Sequence, residues 1–183
     1  MIKHKKITVE LDKQIDVFDG LFPLKFREHA FEMFEKSFYR IGWADSLEPE
    51  KQKYDQFLHS VYDETDYNNL GILKYMNQCP QVVELLKDLS FKKGYVNISN
   101  PSDVNYVHSH FEAKVVLYYG NLSWVEGGHG ETNFYSEDLS EVQFTSPYTP
   151  GRLIIFDGKI PHCLRPQSIV GPKYRFTFAS IWH

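Results

Sequence analysis

The chain has little cysteine, no surplus of charge of either sign and no long apolar run. Only two of its 183 residues are cysteines, Cys79 and Cys163. Two thiols make neither a disulfide framework nor a cysteine-based zinc pattern. Lysine and arginine number 20 against 24 acidic residues, for a formal net charge of -4. The one basic cluster, Lys3-His4-Lys5-Lys6, reads as a solvated terminus. Nucleic-acid binding needs a basic face that displaces counterions, so none is expected. No stretch approaches the roughly 18 apolar residues of a membrane span, and the charged opening lacks the apolar core of a signal peptide. The expected setting is reducing and cytoplasmic, with no membrane partner.

Aromatic residues, in contrast, reach 16%, and apolar residues 42%. A chain of this length can bury one real core. No repeat, low-complexity tract or linker divides it, so residues 1–183 are expected to form a single domain. Its halves differ in period. Residues 1–92 read as an opening strand, Ile7–Leu11, followed by helices. Pro23 suits a first helical turn, and Phe26, Ala30, Phe31, Phe34 and Phe38 recur at helical spacing as a core-facing stripe. A second helix is expected after Pro49, with Tyr54, Phe57, Leu58 and Val61 on one face. Asp63–Asn69 reads as a loop, Leu70–Met76 as a helical piece, and Pro80 as the start of a short helix.

Residues 93–183 read as short strands separated by turns. Tyr95–Ser99, Val104–His108, Lys114–Tyr119, Thr132–Tyr135, Val142–Thr145, Arg152–Phe156 and Tyr174–Trp182 alternate or run apolar between glycine, proline and asparagine breaks. Such a series implies a sandwich or jelly roll, with the helices packed on one sheet face.

Three of the eight histidines carry a chemical argument. His108 and His110 are two apart after an expected strand, and residues i and i+2 of a strand point to one face. Neutral imidazole binds iron, zinc, copper or nickel. A lone His-x-His pair also occurs as two ordinary polar residues. His162 follows the apolar segment 152–156 and a turn, where it is either a third ligand or a loop histidine. Arg175 puts one cation in an apolar strand and therefore needs an anionic partner, from the protein or from a ligand. Thr177 shares its face, and Tyr119 stands on the strand after the histidine pair. Glu131 and Thr132 read as turn-stabilising, and Asp157 as ordering its own turn.

The ordered series Tyr106-Val107-His108-Ser109-His110, Leu117–Trp124, Gly130–Tyr135, Pro150–Gly158, Ile160-Pro161-His162 and Arg175-Phe176-Thr177 resembles the prolyl-4-hydroxylase-like branch of the 2-oxoglutarate and iron(II) dioxygenases, including small members carried by viruses of bacteria. The resemblance covers about residues 93–183. It implies a mainly β, α+β fold, a distorted double-stranded β-helix (jelly roll, cupin-like) braced by N-terminal helices. It implies iron on His108, His110 and His162, with His110 where that family has aspartate. It also implies 2-oxoglutarate on Arg175, supported by Tyr119 and Thr177, and by Asn97 and Ser99 on the strand facing the cosubstrate. Two other readings of the site remain. Glu112 can replace His110 in a shifted frame, or the metal site is lost.

The implied activity couples oxidative decarboxylation of 2-oxoglutarate with O2 to hydroxylation of a peptidyl proline, another side chain or a small molecule. A three-histidine dioxygenase needing no cosubstrate, and a non-catalytic jelly-roll binding module, are the alternatives.

Overall fold

A computed structural model describes residues 1–43, 57–111 and 114–183. Eleven strands and four α-helices follow one another among these residues. The order is β1 (Lys3–Thr8), β2 (Gln14–Asp19), α1 (Leu24–Lys36), β3 (Arg40–Trp43), β4 (Phe57–Tyr62), α2 (Glu64–Leu70), α3 (Ile72–Met76) and α4 (Pro80–Leu85). Then come β5 (Phe91–Ser99), β6 (Lys114–Tyr119), β7 (Thr132–Tyr135), β8 (Val142–Ser146), β9 (Leu153–Asp157), β10 (His162–Leu164) and β11 (Arg175–Trp182). An eight-stranded antiparallel sheet has the order β1-β2-β9-β6-β11-β5-β4-β3, and a three-stranded sheet has the order β10-β7-β8. Two antiparallel sheets with helices on one side give the expected jelly-roll architecture.

Strand alternation divides β11 between two cores. Phe176, Phe178 and Trp182 join the cluster that packs against the helices. Ile181 joins the cluster between the sheets, with Val115, Tyr119, Phe134 and Phe156. Arg175 and Thr177 share the parity of Ile181 and so face inward as well. On the helix side, α1 buries Phe26, Ala30 and Phe34, one residue per turn. Phe34 and Phe178 are both fully buried, with ring centroids 6.1 Å apart. Each such side chain stabilises the fold by roughly 1.5–3 kcal/mol.

The N-terminal half departs most from expectation. Phe38 lies beyond the end of α1 and is 95% exposed, so the aromatic stripe stops at Phe34. Phe57–Tyr62 is strand β4, paired with β5 from Leu58↔Ile98 to Tyr62↔Gly94, and not a helical face. The rest of the expected second helix, including Pro49 and Tyr54, lies outside the described residues. Asp63–Asn69 is not a loop. Asp63 accepts the Asp66 N–H and Asp66 accepts the Asp63 N–H, a capping box that starts α2. The opening strand sits four residues earlier than Ile7–Leu11, and Glu10–Asp12 is a 3-10 turn. Strand β2 was not expected. Its buried Asp16 is accommodated by His4, 2.7 Å away on β1.

In the C-terminal half β6, β7, β8, β9 and β11 stand within a residue of expectation, β5 begins four residues before Tyr95, β10 was not expected, and the expected strand Val104–His108 is not formed. That segment is irregular, and only His108 forms a β-bridge, to His162.

Candidate metal centre

The bridge between His108 and His162 builds the centre. His108 N–H donates to His162 O at 3.0 Å, and His162 N–H donates to His108 O at 2.8 Å. His110 N–H is tied to Gly158 O at 2.7 Å, next to the turn after β9. These backbone bonds do the positioning that a regular strand would otherwise do. They bring one ligand nitrogen of each of His108, His110 and His162 within 4.8 Å of the others. No carboxylate joins the three among the described residues. Glu112, the ligand of the shifted frame, lies outside the described residues.

Ring orientation is fixed from outside the cluster. His162 Nδ1 lies 2.9 Å from Ile160 O, and His108 Nδ1 lies 3.1 Å from Tyr106 O. With Nδ1 protonated toward a carbonyl, Nε2 carries the lone pair that a metal needs. Phe156 meets the His162 ring edge-on at 4.8 Å. Burial pushes the His162 pKa well below the usual histidine value, and the neighbouring His108 and His110 push it further. The imidazole is therefore neutral at pH 7, the state that coordinates a cation.

The same side chains open onto a cavity of about 160 Å³ whose wall runs from His108, His110 and His162 to Arg175. Arg175 is 3% exposed. Its Nε donates to Gly130 O at 2.9 Å, and its guanidinium lies over the rings of Tyr148 at 4.7 Å and Tyr119 at 5.4 Å. Among the described residues no carboxylate forms a salt bridge with it. Burial lowers its pKa, while Tyr148, Tyr119 and Glu131 oppose that shift, and a guanidinium stays charged throughout the working range. A buried cation facing a cavity, with no salt bridge to a carboxylate among the described residues, suits an anionic ligand.

The supporting residues fall in different places. Thr177, Asn97 and Ser99 line the cavity. Ser99 Oγ donates to Gln167 at 3.2 Å. The Tyr119 hydroxyl, in contrast, donates to Thr132 Oγ1 at 2.8 Å, and Thr132 is the residue of the two that reaches the cavity wall. Thr132 is thus a wall residue that opens β7, as the expected strand Thr132–Tyr135 places it, and not a turn-stabilising one. Asp157 also reaches beyond its turn, accepting the Gln14 N–H and pairing with Lys114. Two further atoms on the wall, Asn97 Oδ1 and Asn105 Nδ2, are buried without a hydrogen-bond partner. Unsatisfied buried polar atoms around one cavity are what a polar ligand would complete. Asn105 was also missed from sequence. Three neutral imidazoles fit iron, zinc, copper or nickel, and the open side of the cluster leaves room for further ligands.

No family model and no curated protein matches the chain by sequence. Solved structures do match. A Pseudomonas putida prolyl-4-hydroxylase superposes with a TM-score of 0.61 and 11% identity, over 92% of this chain and 92% of the other. A 2OG-Fe(II) oxygenase family oxidoreductase from Burkholderia pseudomallei gives 0.65 and 9%, over 92% and 84%. HygX from Streptomyces hygroscopicus, solved with nickel and 2-oxoglutarate bound, gives 0.62 and 13%, over 92% and 82%. The chain therefore has the fold of the prolyl-4-hydroxylases and 2-oxoglutarate-iron(II) oxygenases, a double-stranded β-helix.

Proposed function

We propose that this protein is a non-heme iron(II) dioxygenase that couples oxidative decarboxylation of 2-oxoglutarate to hydroxylation of a second substrate. The observation that carries the reading is the pairing, within one cavity, of a three-histidine cluster and a buried arginine with no carboxylate partner among the described residues. A dicarboxylate cosubstrate answers both ends at once.

Iron(II), held by His108, His110 and His162, would supply the oxidising chemistry that activates O2. The chain's own residues do the rest. Ile160 O and Tyr106 O hold the two imidazoles in the ligating tautomer. Arg175 grips the far carboxylate of 2-oxoglutarate, and the Thr177 hydroxyl donates to the same group. Tyr119 supports that end through its ring under the guanidinium and its hydroxyl on Thr132. Asn97 and Ser99 border the cosubstrate along β5. The apolar wall of Val115, Leu117 and Ile181 excludes water from the reacting centre.

The test is stoichiometric. Protein supplied with iron(II) and 2-oxoglutarate in air is expected to form succinate in step with oxygen consumed. Arg175→Met is expected to raise the half-saturating 2-oxoglutarate concentration. The all-histidine cluster favours one second reading, a three-histidine dioxygenase that needs no cosubstrate. Oxygen consumption unaffected by 2-oxoglutarate would select that reading, and absence of bound metal would select a non-catalytic binding module.

A further inference from the structure

After β5 the chain turns back across the cavity. Asn100 N–H donates to Asp103 Oδ2 at 2.6 Å, and Asp103 N–H donates to Asn100 O at 3.1 Å, which closes a turn between β5 and the histidine segment. Asn97 precedes this turn on the large sheet, opposite Thr177. Asn105 follows it and lies against the small sheet, its carbonyl oxygen 3.6 Å from Cys163 Sγ on β10. The turn therefore sets two carboxamides on opposed walls, and both line the cavity.

Their polar atoms are the unfinished part of the wall. Asn97 Oδ1 and Asn105 Nδ2 are buried and form no hydrogen bond among the described residues. Other polar groups around the cavity are engaged, Ser99 Oγ with Gln167, Thr132 Oγ1 with the Tyr119 hydroxyl and Arg175 Nε with Gly130 O. A buried polar atom without a partner has lost its hydration with no return, so a ligand that completes both amides is favoured.

One atom is an acceptor and the other a donor, and this decides what completes them. 2-Oxoglutarate, as a dianion, presents acceptors only, so it leaves Asn97 Oδ1 unpaired. An anionic group on a second substrate repeats that shortfall. An ammonium group has donors, but charge opposes it. Three neutral imidazoles leave a divalent metal its full charge, and a dicarboxylate cancels only two of the three positive charges on metal and Arg175. No aspartate or glutamate lines the cavity among the described residues to attract a cation. A neutral group with both functions remains. A secondary amide carries its N–H and C=O on opposite sides of one plane, which suits two opposed walls, whereas a hydroxyl puts both on one oxygen. A cavity of about 160 Å³ that also takes the cosubstrate suits a compact molecule better than a length of polypeptide.

We propose that the second substrate is a compact neutral molecule carrying a secondary amide, its carbonyl accepting from Asn105 Nδ2 and its N–H donating to Asn97 Oδ1. This rests on the dioxygenase reading above and names the substrate class for it. The amide preceding a proline has no N–H and does not meet the requirement.

The test uses protein loaded with zinc(II) and saturated with 2-oxoglutarate, so that no turnover occurs. N-methylpropanamide and methyl propanoate are the main probes, alike in shape and carbonyl and different in one N–H. N-acetylalanine N-methylamide serves as a piece of peptide backbone. Binding is followed by ligand-observed NMR. The amide is expected to bind about tenfold tighter than the ester, and the peptide piece no tighter than the amide. Asn97→Leu is expected to erase the preference for the amide, and Asn97→Asp, which keeps an acceptor and has no donor, to retain it. Asn105→Leu is expected to weaken amide and ester alike by about tenfold and to leave 2-oxoglutarate affinity within about twofold. The wild-type comparison needs no variant and decides the matter even if a substitution fails to fold. Equal binding of amide and ester, binding of neither, tighter binding of the peptide piece, or a preference that survives Asn97→Leu would overturn the assignment. So would loss of 2-oxoglutarate binding in Asn105→Leu, which would give that donor to the cosubstrate. Failure of 2-oxoglutarate to bind the metal-loaded wild type would remove the dioxygenase reading and this one with it. Normal 2-oxoglutarate binding without amide preference would remove this one alone.

Discussion

Along β11, Phe176, Phe178 and Trp182 turn toward the helices, while Arg175, Thr177 and Ala179 turn toward the cavity. One strand thus supplies both an aromatic core and a polar wall. The outer face is packed ring against ring: Phe178 lies 5.5 Å from Tyr62, 5.8 Å from Tyr67 and 6.1 Å from Phe34. The inner face keeps a buried cation and two unsatisfied amide atoms around an open space. The packing that stabilises the fold lies on the first face, and the proposed ligand site on the second. Substitutions on the two faces should therefore separate in what they damage.

The largest effect is expected from Phe178→Ala, which opens a cavity at the centre of the outer cluster. A loss of about 3–5 kcal/mol is expected in urea unfolding. Arg175→Met should do the reverse. It removes a buried cation that forms no salt bridge among the described residues, so unfolding stability should hold or rise. The affinity for 2-oxoglutarate, measured by calorimetry on metal-loaded protein, should fall by about 2–5 kcal/mol, roughly 30-fold or more. A destabilised Arg175→Met with intact 2-oxoglutarate binding would break the division between the faces.

Gly94→Ala sharpens it. A Cβ at Gly94 would sit 2.7 Å from Phe178 Cζ, so overpacking should cost about 1–3 kcal/mol in stability and leave metal binding alone. The smallest effect is expected at the edge of the helical layer. Asp63→Ala removes the α2 cap at a cost of about 1 kcal/mol, seen as a small shift in the urea midpoint.

How far the sequence could be read follows the same division. The inner strands were legible because β6, β7 and β9 alternate or run apolar between strong turn residues, and their expected bounds stand within a residue or two. The helical layer was less so. Leu58 and Val61 fall at helical spacing by coincidence, and β4 takes its conformation from pairing with β5. The polar run after Asp63 looked like a loop because its helix signal is one capping box built from two aspartates. Strand β2 alternates only over Ile15-Asp16-Val17 before Phe18, too short a signal to read alone, and its buried Asp16 finds its partner His4 twelve residues away.

At the site, the three histidines and Arg175 were legible as chemistry. Their convergence was expected from a regular strand at Val104–His108, yet it arises from one bridge and one backbone bond to Gly158. The places of Thr132 and Asn105 on the cavity wall were not legible, since only long-range pairing brings them there. Among the described residues no helix is long and apolar enough to cross a membrane.

The central claim is that one cavity holds a metal and 2-oxoglutarate together. It is tested most directly by anaerobic titration of the protein with iron(II) and then 2-oxoglutarate, watching for a visible metal-to-ligand charge-transfer band. The account predicts a band at one equivalent of iron, abolished by His162→Ala and weakened by Arg175→Met. Bound iron with no band on adding 2-oxoglutarate would contradict it.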